Sequence, residues 1–196
     1  MASCSTPLDD DVRRDDDGYK AKEISLEAAL QSDANDESLN KWKEALLAEA
    51  GNIGGQRVVT LTSFSLVFAN GDPEITIPLN DPAALEKLAS SPIELKENVQ
   101  FRYRVVFNVG GDILSGLTFL ASVYRLKIRV MKQQYMLGSY APRTSDHEVV
   151  FPQGFDEWLV TPSGFTGRGT YNTRVLFTDD DSQRHFDFSF SFKVVS

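Results

Sequence analysis

The chain has 196 residues, a net charge of −8 and a single cysteine, Cys4. An acidic balance excludes the broad basic footprint expected for nucleic acid and weighs against electrostatic attraction to anionic lipid, while one cysteine excludes an intrachain disulfide and fits a reducing compartment. No apolar run approaches the ~20 residues that span a bilayer, and residues 1–17 lack the apolar core of a signal peptide, so the expectation is a cytoplasmic protein without stable membrane insertion.

Residues 1 to about 22 are charged and poor in large apolar side chains, a composition expected to stay disordered. Residues 23–30 read as a short helix, with Leu26, Ala29 and Leu30 on one stripe. A firmer helix is predicted over about 36–50. Asp36 is placed to accept a free backbone N–H at its start, Leu39, Trp42, Ala45 and Leu46 share a face, Glu37 and Lys41 stand in the favourable i, i+4 order, and Gly51 is placed to end it. About fifteen residues are marginal for a helix alone in water. The Trp42 face must therefore dock, either on the chain's own β domain or on a partner. Residues 1–56 thus read as a partly disordered arm, and 57–196 as a separate domain of about 140 residues, enough for one real core.

From Val58 the apolar period changes to two. Phe64, Leu66 and Phe68 share a face, and Asn70-Gly71-Asp72 marks a turn. Ile75, Ile77 and Leu79 follow, then a loop over 81–91 with a helical turn at 83–88. The longest alternation runs through Val99, Phe101, Tyr103, Val105, Phe107 and Val109, and ends at Gly110-Gly111. Leu117, Phe119 and Ala121 come next, followed by an expected strand through Tyr124, Leu126, Ile128 and Val130. Tyr171, Thr173, Val175 and Phe177 lead to Asp179-Asp180-Asp181. Finally Phe186, Phe188, Phe190, Phe192 and Val194 alternate with Asp187, Ser189, Ser191 and Lys193. Strand side chains point alternately to the two faces of a sheet, so these five share one face. Seven to nine strands without long helices between them predict an all-β, immunoglobulin-like antiparallel β-sandwich carrying a flexible N-terminal arm with short helices.

No catalytic or metal-binding pattern is present. His147 and His185 lie outside metal-ligand spacing and read as surface or edge residues; with one cysteine, zinc is not expected. There is no nucleophile elbow, phosphate loop or dinucleotide fingerprint. The glycine-rich 164–169 segment reads as a loop, and the three consecutive aspartates as a solvated hairpin tip, since they lack the spacing of a calcium loop. No cofactor and no enzyme activity are expected. Two features point to binding. The aromatic interior either packs densely or lines a cavity for an apolar ligand, and the amphipathic arm either grips a partner or packs back.

Five segments narrow this reading: DESLNKWKEALL at 36–47, ILSGL at 113–117, YMLGSYAPR at 135–143, RGTY at 168–171 and FTDDD at 177–181. Together and in this order they resemble the Rho GDP-dissociation inhibitor family, over about residues 19–194. The resemblance implies a cytosolic binding protein, monomeric alone and heterodimeric with its target. It would take GDP-bound, geranylgeranylated Rho-family GTPases of Rho or Rac type, stop GDP release with the arm, and remove them from membranes by burying the prenyl tail between the sheets.

The resemblance also implies site residues. Asp36, Ser38, Leu39 and Trp42 of the arm, with Asp181 at the sandwich edge, would contact the GTPase. Phe64, Leu66, Ile93, Leu95, Ile113, Phe188, Phe190 and Val194 would contact the prenyl group. Trp42 stands where the family usually has tyrosine, and Phe188 and Phe190 where many members have tryptophan. The stretch 149–165 is longer and more apolar than usual, placing Phe151, Phe155, Trp158 and Leu159 over the pocket mouth or the sheet edge. The alternative reading is a general carrier for prenylated or acylated proteins, in which the arm is dispensable.

Overall fold

A computed structural model describes residues 56–154 and 156–196 of the chain. The arm helix predicted over about 36–50, with Asp36, Ser38, Leu39 and Trp42, lies outside the described residues, as does Phe155. Ten strands are described, in two sheets. One sheet runs β2 (Ile75–Pro78), β1 (Val58–Phe68), β4 (Gln100–Gly110), β7 (His147–Phe151), with the short β8 (Leu159–Val160) also paired to β4. The other runs β3 (Ile93–Lys96), β10 (Arg184–Val195), β9 (Gly169–Thr178), β5 (Leu114–Arg125), β6 (Ile128–Tyr140). All pairs are antiparallel except β3 with β10, where Ile93 lies opposite Phe192 in a parallel register.

The period-two patterns place the core. In β4, Phe101, Tyr103, Val105, Phe107 and Val109 are buried while the residues between them are partly exposed. Phe64, Phe107, Phe119 and Phe177 are 0% exposed and meet between the sheets. Burying a side chain of this size contributes about 2–3 kcal/mol, so these rings dominate the sandwich. They are also mutually oriented: Phe119 lies 4.8 Å from Phe151 and 5.4 Å from Phe177, ring centre to ring centre. On β10, Phe188, Phe190 and Val194 are buried, and Phe186 and Phe192 pack at the margin of the same face. Strand β5 is buried on both faces, because Leu120 packs against Leu176 of β9 on the side away from the main core.

Three local expectations change. The helical turn expected at 83–88 is a longer helix, α1 (Pro82–Ser90). Asp81 starts it: its side chain accepts from the Ala83 N–H at 3.0 Å, and Pro82 takes the first helical position, where its missing N–H costs nothing. The single strand expected through Tyr124, Leu126, Ile128 and Val130 is a hairpin instead. Arg125 pairs with Ile128, and Leu126 and Lys127 form a two-residue turn with φ of 49° and 66°. Two positive φ values are what a twist-matched hairpin turn demands, and the turn leaves Leu126 86% exposed. A second short helix, α2 (Gly164–Gly167), sits within the glycine-rich segment that was expected to be a loop.

Candidate functional site

The two ends of the sandwich differ in chemistry. At the end where β4 and β9 begin and β5 and β10 finish, the core does not close. An apolar cavity of about 100 Å³ lies there, space for about three water molecules. Leu66, Leu95, Phe101, Tyr103 and Phe190 form its inner wall, and Val123, Tyr171 and Phe192 stand on the far side. Val123 and Tyr171 form a small cluster with Val194, and Phe192 packs against both this cluster and the main core, so the cavity lies where the two meet. Val130, Met131, Leu159 and Val160 form an outer lip, with Val130 53% and Val160 47% exposed.

A few polar atoms fix the cavity walls. The Tyr103 hydroxyl donates to Gln133 Oε1 at 3.3 Å, and burial pushes the phenol pKa well above its ordinary value. Thr161, 3% exposed, accepts from the Val99 N–H at 2.8 Å and donates to the Lys96 carbonyl at 2.7 Å, which ties β8 to the β3–β4 connection. An apolar slot with sparse, satisfied polar groups suits a greasy ligand held by shape.

The opposite end is ionic. Arg57 donates from Nη2 to Asp181 Oδ2 at 2.5 Å and lies 3.5 Å from Asp179 Oδ2; its Nη1 donates to the Ile113 carbonyl at 3.2 Å. Asp179 also accepts from the Gln183 N–H at 2.8 Å, and its Oδ2 lies 2.9 Å from His185 Nε2. A carboxylate can only accept, so that ring nitrogen carries the hydrogen. Burial alone would raise the Asp179 pKa, but the His185 and Gln183 hydrogen bonds and the Arg57 charge outweigh it and hold the carboxyl below its ordinary value. The neighbouring Asp180 packs over Gly116, where φ is +60° and an added Cβ would sit 2.1 Å from the carboxylate. Only glycine fits that close approach.

This cluster corrects one expectation. Asp179 is 0% exposed rather than part of a solvated tip, although Asp181 does remain at the surface. Both histidines stand on sheet edges, as expected, but their side chains are shielded from solvent. The His185 ring packs against Asp179, its side chain 5% exposed. His147 is 8% exposed, stacks 5.4 Å from Phe107 and meets the Ala141 carbonyl at 3.0 Å, and burial lowers its pKa.

The residues singled out from the sequence fall in separate places. Leu66, Leu95 and Phe190 line the cavity. Phe64 and Phe188 lie next to it in the packed core, 5.6 Å apart, with Ile93 at the core margin and Val194 in the small cluster. Ile113 and Asp181 are at the ionic end, bridged by Arg57. Of the long apolar stretch, Leu159 lines the cavity, Phe151 is 1% exposed in the core, and Trp158 carries the Arg102 guanidinium at 4.2 Å over its ring. Phe101, Tyr103 and Tyr171 also line the cavity; their alternation was visible in the sequence, but nothing distinguished them from ordinary core. Gln133 and Thr161 carried no signal at all. Among the described residues no His, Cys, Asp or Glu group could hold a metal ion, and no helix is long and apolar enough to cross a membrane.

A solved Niemann-Pick type C2 protein from the Japanese carpenter ant aligns over 74% of this chain and 98% of its own, with a TM-score of 0.39 and 10% identity. Sequence relatives are much nearer. The chain is 32% identical to the Rho GDP-dissociation inhibitor 1 of Bos taurus, over 87% of this chain and 81% of that protein. It is 31% identical to the Rho GDP-dissociation inhibitor of Saccharomyces cerevisiae, over 100% of this chain and 99% of that one. The family model described as RHO protein GDP dissociation inhibitor matches residues 6–196, arm and sandwich together. Such proteins are regulatory inhibitors, not enzymes. A family match over residues 6–196, with relatives 31% and 32% identical over most of both chains, shows that this protein belongs to the Rho GDP-dissociation inhibitor family.

Proposed function

We propose that this chain acts in the cytoplasm as an inhibitor of prenylated Rho-family GTPases: it binds them GDP-bound, blocks GDP release, and withdraws them from membranes by burying the geranylgeranyl tail between its sheets. The observation that carries the reading is the apolar cavity between the sheets of a chain whose family is established. Leu66, Leu95 and Phe190 would meet the tail first. Phe64, Ile93, Phe188 and Val194 would line a longer slot, because the existing cavity is several times smaller than a twenty-carbon tail and the rings beside it must yield; Ile113, which the resemblance also assigned to the tail, lies at the opposite, ionic end. Asp36, Ser38, Leu39 and Trp42 of the arm and Asp181 of the sandwich would contact the GTPase.

The energetics explain why arm and slot share one chain. A tail of about twenty carbons, at ~0.8 kcal/mol per buried CH₂, gains on the order of 10 kcal/mol or more on leaving water. The bilayer offers nearly the same gain, so the slot roughly cancels the membrane. Contacts between arm and GTPase must then tip the exchange. Titrating the full chain with a GDP-loaded Rho-family GTPase, with and without its geranylgeranyl group, tests this. Tight binding and slowed GDP release with the lipidated form only is the expected result; equal or absent binding of both forms overturns it.

A further inference from the structure

Between Asp112 and Asp146 the chain has no acidic residue. Within that stretch the β5–β6 hairpin tip gathers Arg125, Lys127, Arg129 and Lys132 among Leu126, Ile128, Val130 and Met131. Net charge hides this patch. Residues 1–55 hold thirteen Asp and Glu against six Lys and Arg, so the rest of the chain is close to neutral. At physiological salt a surface feels only charges within about 8 Å, and the tip is locally basic.

The tip is also apolar, and folding does not account for it. Leu126 is 86% and Ile128 68% exposed. Leu126 and Lys127 both hold positive φ, a conformation that Asn and Gly adopt at lower cost. An exposed leucine in such a turn serves neither core nor solubility. The tip is braced as well. Arg125 donates to the Thr166 carbonyl and, at 2.7 Å, to the Arg168 carbonyl. This holds beside it the α2 loop, whose Phe165 is 93% exposed. The strand leaving the tip supplies Val130 and Met131 to the cavity lip.

We propose that the β5–β6 tip and the Phe165 loop form a docking surface for an anionic bilayer. Leu126, Ile128 and Phe165 enter the boundary between headgroups and acyl chains, while Lys127 faces acidic headgroups and the positive charges of Arg129 and Lys132 add to the local field. Apolar residues interleaved with cations are the pattern of interfacial binding. Pairing of β6 with a second copy of the chain is disfavoured by the same cations, which repel a like edge. Docking would set the cavity lip at the membrane, so that a lipid tail passes from bilayer to cavity without crossing water. That consequence rests on the function proposed above; the docking itself does not.

The test is co-sedimentation of the full chain, with no GTPase present, on phosphatidylcholine vesicles with and without phosphatidylserine. The expected result is binding that requires phosphatidylserine and weakens as salt rises. It falls roughly tenfold or more in a Lys127→Glu, Arg129→Glu variant, and falls also in a Leu126→Ser, Ile128→Ser variant. All four positions are exposed, and thermal unfolding verifies that the variants fold; the salt dependence of the unaltered chain supplies a readout that needs no variant. Sedimentation independent of phosphatidylserine, variants that bind like the unaltered chain, or a dimer in solution that these variants dissolve would each overturn the proposal. A chain that docks on vesicles yet ignores a geranylgeranylated GTPase would sink the functional reading and leave the docking surface standing.

Discussion

A carboxylate shut away from water must find partners that outweigh its lost hydration, and Asp179 finds them in His185, Gln183 and Arg57. Replacing it with Asn removes the charge and leaves Arg57 and His185 facing a neutral amide. The expected cost is about 3 kcal/mol, in the range for breaking one side of a buried pair. The sign with pH follows from the lowered pKa. A depressed folded-state value means that the contribution is present above the unfolded value near 3.9 and is lost as pH falls through the folded one. Urea denaturation at pH 7 and pH 3 checks this: the gap between the chain and Asp179→Asn should narrow at pH 3, and an undiminished gap would refute the ionic account. The sequence showed only three consecutive aspartates. Its grammar suggests solvent, because nothing local reveals that Arg57, at the other end of the domain sequence, closes over one of them. By contrast Phe188 and Phe190 were legible as buried, since alternation with Asp187 and Ser189 determines their face without any distant partner.

At the scale of elements, what was legible depended on whether the ending carried its own chemistry. Asp81-Pro82 announces a helix start, and a helix starts there. The β5–β6 turn carries no such sign: Leu126-Lys127 continues the apolar alternation of the strands it joins, so the pattern ran straight through it. The turn is therefore paid for by the hairpin around it, since each non-glycine residue in the left-handed region costs about 1 kcal/mol. A Leu126→Asn, Lys127→Gly variant should match the turn's backbone and stabilise the domain by about 1 kcal/mol or slightly more in chemical denaturation. The same change removes the most exposed apolar side chain of the proposed docking surface, so stability should rise while vesicle binding falls. Loss of stability would mean that the two side chains make contacts which outweigh the backbone strain.

For the whole molecule, period-two alternation was enough to specify a two-sheet sandwich, because each strand declares its buried face on its own. Strand order was beyond it. The parallel pairing of β3 with β10 joins residues about a hundred positions apart in the chain, and no local pattern encodes such a partner. The inter-sheet cavity was likewise only one of two readings of an aromatic interior. Charge behaves in the same way: a total of −8 argued against any anionic surface, whereas its distribution places the negative excess in residues 1–55 and a cationic tip on the sandwich. The buried core residues described all lie between Leu61 and Val194, so a chain of residues 56–196, which keeps Arg57, should unfold cooperatively close to the temperature of the full chain. Freed of the arm's negative excess, it should bind phosphatidylserine vesicles more tightly at low salt, and the advantage should shrink as salt screens the arm's repulsion over a few ångströms. Thermal unfolding and vesicle sedimentation of both chains at two ionic strengths would decide the matter. If truncation instead weakens vesicle binding, the arm attracts the membrane, and the contrast between acidic arm and basic tip does not control docking.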